Sequence, residues 1–432
     1  MNWALLVFFA GFIAIFVLRL PIAPGMLMTS IFYLLAAPGA GADISMFAEK
    51  VLTNLEAKYI IIAVPLFVFM AQVMNSGKIT DMIFRFANVL VGRRKGGLGH
   101  VNVVASIIFS GMTGSAVADA SGLGLMEIKA IKEHGYEEDF SCAVTAASAT
   151  IGPVFPPSIP MIFYAMLSGA SIGNLFLGGM IPGLLIGAAL MIYIAWVANK
   201  RNYPKGEKLI LRDMIAVTIK AFPALFSVIV LLGGIYSGIV TPTEAGALAS
   251  LYAIIVAAFI YRALGPKSLW RAVRDTVKTT GTLSLIVGCA FTFSFIVARE
   301  HIPQIAANFL LSVTSSRALL LLLINIVFLL LGMFIDTSTI TVVFIPMVLP
   351  LVQGLGIDLI HFGVVVVLNM MIGLSTPPFG MLLFIVSGIS GAPIRGIIKE
   401  IFPMLIAMLI VLVLVTFVPD IVLILPRLIG RY

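Results

Sequence analysis

Hydroxyls, glycines and carboxylates able to hold an ion gather at two places in an otherwise apolar chain. The first place joins Ser110-Gly-Met-Thr-Gly-Ser-Ala-Val-Ala-Asp119 to Ser148-Ala-Thr-Ile-Gly-Pro-Val-Phe-Pro-Pro-Ser-Ile-Pro160. The second joins Gly332-Met-Phe-Ile-Asp-Thr-Ser-Thr-Ile340 to Asn369-Met-Met-Ile-Gly-Leu-Ser-Thr-Pro-Pro-Phe-Gly380. A hard cation such as Na⁺ takes oxygen ligands, and these segments offer hydroxyls and carbonyls but no Cys or His. Proline removes an N–H and clashes with the preceding turn, so Pro156, Pro157, Pro377 and Pro378 should break their helices and free carbonyls. One Na⁺ site per place is expected, with no other metal. The first would lie among Ser106, Ser110, Gly111, Thr150 and Gly152, and the second among Gly332, Asp336, Thr337, Gly373 and Thr376. Asp336 would either neutralise the cation or hydrogen-bond the backbone at its tip, while Asp119 would brace its own segment through backbone N–H groups. Ser and Thr in membrane helices also simply bond to a neighbour, and Gly also simply permits close packing. Paired breaks therefore carry more weight than any single residue.

These residues need a scaffold, and composition says which kind. Of 432 residues 61% are hydrophobic and 11% charged, which excludes an ordinary water-soluble fold. The chain reads as an all-α polytopic membrane protein. Spans are expected near 3–18, 21–39, 59–77, 172–198, 223–241, 244–261, 279–298 and 401–425, with amphipathic interfacial segments near 44–57, 79–92, 209–221, 263–278 and 303–316. Segments 98–131 and 317–355 are too rich in small and polar residues to be single lipid-facing helices, and read as re-entrant helical hairpins. Each precedes a discontinuous helix, at 138–168 and 358–390.

The pattern is duplicated. Gly111 with Gly332, Gly135 with Gly356, Gly152 with Gly373, Pro156-Pro157 with Pro377-Pro378, Pro182 with Pro403, Pro21 with Pro242 and Gly25 with Gly246 all stand 221 residues apart. Residues 1–198 and 222–432 thus read as two repeats of five transmembrane helices and one hairpin, joined by a cytoplasmic or interfacial helix at 199–221. An odd number of crossings inverts the second repeat relative to the first. With both termini outside, all 27 Lys and Arg fall inside except Lys50, Lys58, Arg299, Arg317, Arg427 and Arg431, as the positive-inside bias requires. The net charge of +8 is accounted for in this way, without nucleic acid. Glu244, near the outer interface, is expected to be solvated or to cap a helix. Arg93-Arg94-Lys95 sets topology and touches lipid head groups.

Enzyme chemistry is not expected. The four histidines form no HExxH motif, no Walker A sequence occurs, and two cysteines in apolar surroundings make no disulfide framework. Inverted repeats with a hairpin and a broken helix in each half instead suit a secondary transporter with its site near the midplane.

On Gly111-Met-Thr-Gly-Ser-Ala-Val-Ala-Asp119, Ser148-Ala-Thr-Ile-Gly-Pro-Val-Phe-Pro-Pro-Ser158, Gly332-Met-Phe-Ile-Asp336 and Gly373-Leu-Ser-Thr-Pro-Pro378, the chain resembles the large membrane subunit of tripartite ATP-independent periplasmic (TRAP) transporters over nearly its whole length. The resemblance implies a bacterial inner-membrane, Na⁺-coupled importer of an organic acid such as a C4-dicarboxylate or sialic acid. It implies an elevator mechanism, in which a transport domain carrying the hairpins slides against a scaffold. A periplasmic substrate-binding protein and a small four-helix membrane subunit would be its partners, in a lipid bilayer and with no cofactor beyond the coupling ion. By the same analogy the substrate carboxylate would sit near Ser115, Ser148, Ser158 and Asn369. Two alternatives stay open: a stand-alone Na⁺/carboxylate symporter, and the permease subunit of an ATP-driven importer.

Overall fold

The computed structural model describes residues 3–18, 20–37, 49, 51, 53, 62–75, 77–206, 210–314 and 316–429. Arg19, Lys50, Lys58, Lys208, Arg431 and most of the 44–57 segment lie outside the described residues. The described chain is all-helical, with one isolated backbone bridge between Lys95 and Lys205. Its helices are α1 (Trp3–Val17), α2 (Ile22–Ala36), α3 (Ala63–Met74), α4 (Gly77–Val91), α5 (Gly97–Thr113), α6 (Ala116–Gly122), α7 (Gly124–Glu133), α8 (Glu138–Ala149), α9 (Ile159–Ser168) and α10 (Ile172–Lys200). There follow α11 (Leu211–Ser237), α12 (Pro242–Ile255, ending in a π turn to Ile260), α13 (Pro266–Arg299), α14 (Ile302–Val313) and α15 (Arg317–Phe334). The last five are α16 (Thr337–Gly354), α17 (Leu359–Leu374), α18 (Met381–Ser390), α19 (Ile394–Phe417) and α20 (Asp420–Ile429). Seven helices among the described residues are long and apolar enough to cross a membrane.

Burial sorts the helices by role. Every residue of α17 from Ile360 to Leu374 is buried, as is every residue of α8 from Phe140 to Ala149. By contrast α11 exposes Ile215, Ile219, Phe222 and Ile229, the apolar surface expected of a helix facing lipid or another membrane subunit. The discontinuous helices therefore form the centre of the molecule, and the long ones form its wall.

Helix boundaries recur at the spacing seen in the sequence. Ala116 and Thr337 start helices, as do Glu138 and Leu359, and each pair is 221 residues apart. The N-cap positions correspond too, Ser115 with Asp336 and Glu137 with Asp358, although the Glu137 side chain makes no capping bond. Gly135 and Gly356 both take positive φ, at 83° and 62°, where a side chain would be strained. Both Pro-Pro bonds are cis. One difference stands out: the return arm of the first hairpin is split at Leu123 into α6 and α7, whereas α16 runs unbroken.

Two expectations about the connecting segments need correction. The segment expected at 209–221 is not a separate interfacial helix: from Leu211 onward it is the start of α11, which continues through Pro223. Proline should interrupt the ladder there. The Tyr261 hydroxyl repairs it, accepting from Ala224 N at 3.3 Å and donating to the Lys220 carbonyl at 2.6 Å, while Tyr252 donates to the Pro223 carbonyl at 3.0 Å. Likewise 263–278 and 279–298 are one helix, α13, whose 34 residues reach about 51 Å against a hydrocarbon core of about 30 Å. Its charged first turns thus extend past the apolar part. Glu244 completes a capping box with Thr241 at the start of α12, the capping role expected of it.

Candidate substrate and ion site

Each hairpin tip is built from a sharp turn and a helix start. In the first, Gly114 takes φ +60°, and the Ser115 hydroxyl caps α6 by accepting from Ala118 N at 3.3 Å. The tip lies on the break of the first discontinuous helix: Ile159 N donates to the Gly114 carbonyl at 3.4 Å. A Cβ on Gly114 would come within 2.5 Å of the Pro157 carbonyl oxygen, so only glycine fits. Ser158 in turn caps α9 through Met161 N at 3.2 Å. The second half makes a comparable grip through different atoms: Gly380 corresponds to Ile159, but its acceptor lies two residues before the counterpart of Gly114. Gly380 N donates to the Met333 carbonyl at 3.1 Å, and Gly332 and Gly373 bring the backbones of α15 and α17 into contact.

The two tips face one cavity of ≈ 170 Å³. The first hairpin contributes Gly114, Ser115, Ala116 and Val117, and the second contributes Asp336, Thr337 and Ser338. Pro153, Ile159 and Pro160 line it from the first discontinuous helix, and Met371 and Leu374 from the second. Thr279 and Leu283 of α13 close one wall. Among the described residues no Lys, Arg or His lines it, so a carboxylate entering there would meet helix N-termini and hydroxyls in place of a basic side chain. The Asp336 carboxylate is engaged locally: Oδ1 accepts from Ser338 N at 3.0 Å and Thr339 N at 3.2 Å, and Oδ2 accepts from the Thr339 hydroxyl. Thr337 Oγ1 is buried and has no hydrogen-bond partner among the described residues. A polar atom left unpaired at a cavity wall costs stability unless a ligand or water completes it.

The other residues singled out in the sequence divide by position. Ser106 donates to Ser148 at 3.1 Å, Ser110 to the Ile107 carbonyl at 2.6 Å and Thr150 to the Ala147 carbonyl at 2.6 Å. Each oxygen keeps a lone pair free of that bond. Thr376 likewise donates to the Ile372 carbonyl at 2.6 Å. Gly152 lies against the Ser115 carbonyl at the tip, whereas Gly111 faces away, towards Val228 of α11. Of the four carboxylate-site residues only Ser115 lines the cavity. Ser148 and Asn369, equivalent in the two repeats, are fully buried behind it. Ser148 donates to Asn102 Oδ1 at 2.6 Å, and Asn369 Nδ2 donates to Asn325 at 2.8 Å (carbonyl) and 2.7 Å (Oδ1). In each half, then, the discontinuous helix is pinned to the first arm of its hairpin through an asparagine.

Those asparagines did not stand out in the sequence, although a lone amide in an apolar helix was the available signal. Asn102 also donates to Glu127 Oε2 at 2.9 Å and Thr145 Oγ1 at 2.8 Å, tying both hairpin arms to α8. Asp119 is fully buried nearby, and among the described residues no backbone N–H donates to either of its carboxylate oxygens. The expected bracing by backbone N–H groups is not what the structure has. The reason is geometric: Ser115 occupies the cap of α6, which places Asp119 one turn further on, past the free N–H groups.

Sharp helix turns and interrupted helices closing on one cavity, among helices long and apolar enough to cross a membrane, are the features of a multi-pass membrane protein. Comparison with known proteins sharpens the class. The family "Tripartite ATP-independent periplasmic transporter, DctM component" matches residues 9–421. The chain is 40% identical to the sialic acid TRAP transporter large permease protein SiaM of Vibrio cholerae serotype O1, over 98% of each chain. It is 36% identical to the C4-dicarboxylate TRAP transporter large permease protein DctM of Pseudomonas aeruginosa, over 86% of this chain and 87% of that one. The crystal structure of the Alcanivorax borkumensis YdaH transporter shares the fold with a TM-score of 0.62 at 14% identity, covering 90% of this chain and 91% of that one. The chain belongs to the DctM component family of TRAP transporters.

Proposed function

We propose that this chain is the large permease subunit of a Na⁺-coupled importer of an organic acid, the cavity between the hairpin tips being the substrate site. The observation that carries the reading is the composition of that cavity. Among the described residues it holds one carboxylate, Asp336, and no basic side chain, so an incoming carboxylate needs a compensating cation as well as the helix N-termini. A gradient-driven Na⁺ bound beside the tips supplies that charge, and ties substrate binding to ion binding. Ser106, Ser110, Thr150 and the Gly152 backbone would serve the ion in the first half, with Asp336, Thr376 and the Gly332–Gly373 contact region serving the second. The relatives are named for sialic acid and C4-dicarboxylates, and either fits a site that recognises a carboxylate.

Alternating access would follow an elevator scheme. The hairpins and the buried helices α8 and α17 move together, tied by the asparagine pins, against a framework of α1, α2, α10–α12 and α19. The two repeats would be inverted in the membrane, with both termini on the periplasmic side of the bacterial inner membrane. A periplasmic binding protein would deliver the substrate, and a small four-helix membrane subunit would cover part of the exposed apolar wall.

The test is reconstitution of the chain with and without those partners, the relatives' substrates being offered in turn. Uptake that requires both partners supports the proposal. Uptake by the chain alone would favour a self-sufficient symporter, and uptake that follows ATP would favour the permease of an ATP-driven importer.

A further inference from the structure

A second recess lies far from the hairpin tips, where the turn between α4 and α5 meets α10. It measures ≈ 440 Å³ and is lined by Arg94, Lys95 and His100 at one end and by Ala188, Met191, Ile192, Ala195 and Asn199 along α10. The spacing of the α10 residues puts them on one helical face. Ile192 is 72% exposed and the neighbouring Trp196 58%, so this part of α10 borders the bilayer. Lys200 Nζ stands 5.0 Å above the Trp196 ring, the aromatic and basic pairing of a membrane interface. The recess thus runs from a cationic end at interface level to an apolar wall beside the acyl chains.

The cationic end is held in place by the fold. Gly96 N donates to the Pro204 carbonyl at 3.2 Å, Lys95 bridges to Lys205 through the backbone, and Lys95 Nζ donates to Asn202 Oδ1 at 2.9 Å. A Cβ on Gly96 would come within 2.4 Å of the Ala198 side chain, and one on Gly99 within 2.9 Å of Ile194. Glycine at both positions lets the basic turn sit directly on α10 and leaves the recess open between them. Among the described residues Arg94 takes part in no ion pair with a carboxylate, so its charge is available to a ligand.

We propose that this recess binds one anionic phospholipid, its phosphate held by Arg94 and Lys95 beside His100, and an acyl chain lying along Ala188, Ile192 and Ala195. Charge complementarity selects an anionic head group, and the apolar wall selects a lipid over a free anion. The bound lipid bridges α5, the first arm of a hairpin, and α10.

The experiment uses the full chain in nanodiscs of phosphatidylglycerol or phosphatidylcholine, delipidated gently and weighed by native mass spectrometry. Phosphatidylglycerol should be retained over phosphatidylcholine by about tenfold or more. The double variant Arg94→Gln/Lys95→Gln should lose that retention, and Ala195→Trp should lose it with both charges intact, by filling the acyl track. Arg212→Gln, an exposed basic position elsewhere, should keep it. Melting temperatures identify any variant that fails to fold, and the other then decides. Equal retention of the two lipids, or retention unchanged in both variants, overturns the site. Displacement of the lipid by inorganic phosphate would show a free-anion site and overturn the lipid assignment.

Discussion

Replacing Gly373 by alanine should harm this protein far more than the same change at its repeat partner, Gly152. A Cβ on Gly373 would lie 2.7 Å from Gly332 Cα, 2.9 Å from Gly332 C and 3.0 Å from the Leu329 carbonyl oxygen. All three are backbone atoms of α15 and cannot rotate away. Carbon atoms rest at about 3.5–4.0 Å, so α15 and α17 must part by roughly 1 Å. Overpacking of that kind costs about 1–3 kcal/mol, and with rigid neighbours the upper end applies; helix propensity returns about 0.5–1 kcal/mol. The net loss is about 2 kcal/mol. At Gly152 the nearest atoms would be the Ala149 carbonyl oxygen at 3.3 Å and the Ser115 carbonyl at 3.5 Å, which a shift of a few tenths of an ångström accommodates. The assay is thermal unfolding of the purified chain, alongside reconstituted uptake. Gly373→Ala should melt well below the wild type and transport little, and Gly152→Ala should melt close to it. Equal melting temperatures for the two variants would refute the backbone-contact argument.

Three further outcomes follow from single groups. Asn102→Leu removes every donor from the buried Glu127 carboxylate and should destabilise the chain by about 2–3 kcal/mol, with Asn102→Leu/Glu127→Leu recovering much of the loss in the same melting assay. Thr337→Val deletes a hydroxyl that has no partner among the described residues, so stability should change by less than about 0.5 kcal/mol while apparent substrate affinity in uptake falls roughly tenfold; a large drop in melting temperature with unchanged affinity would count against its facing a ligand. Asp336→Asn keeps an oxygen able to cap α16, so melting should shift little. The Na⁺ concentration for half-maximal uptake should nevertheless rise, and an unchanged Na⁺ dependence would remove Asp336 from the ion site.

The breaks in this chain were legible because proline and glycine act locally. Pro156-Pro157 and Pro377-Pro378 interrupt their helices wherever the rest of the chain lies, and equal spacing in two copies exposes the duplication. Asp336 was legible as a residue bonding the backbone at its tip, whereas the capping role of Ser115 appears only in the fold. What the spacing could not show depends on partners distant in sequence. The repair of α11 at Pro223 requires a tyrosine hydroxyl from 37 residues away, and without it the segment reads as two elements. Asn102 gains its meaning only when Glu127, Thr145 and Ser148 are folded around it. Gly111 and Gly332 are equivalent in sequence but not in use, because one meets a valine side chain and the other a second glycine.

Gradient-driven accumulation tests the central claim most directly: a cavity shared by two hairpin tips that takes a carboxylate together with Na⁺. In proteoliposomes holding the chain with the two proposed partners, labelled substrate uptake is followed with an inward Na⁺ gradient, with equal Na⁺ on both sides, and with no Na⁺. The account predicts accumulation above the outside concentration only under the inward gradient, with Thr337→Val and Asp336→Asn each impaired. Accumulation that is the same without Na⁺, or that neither substitution at the cavity alters, would contradict it.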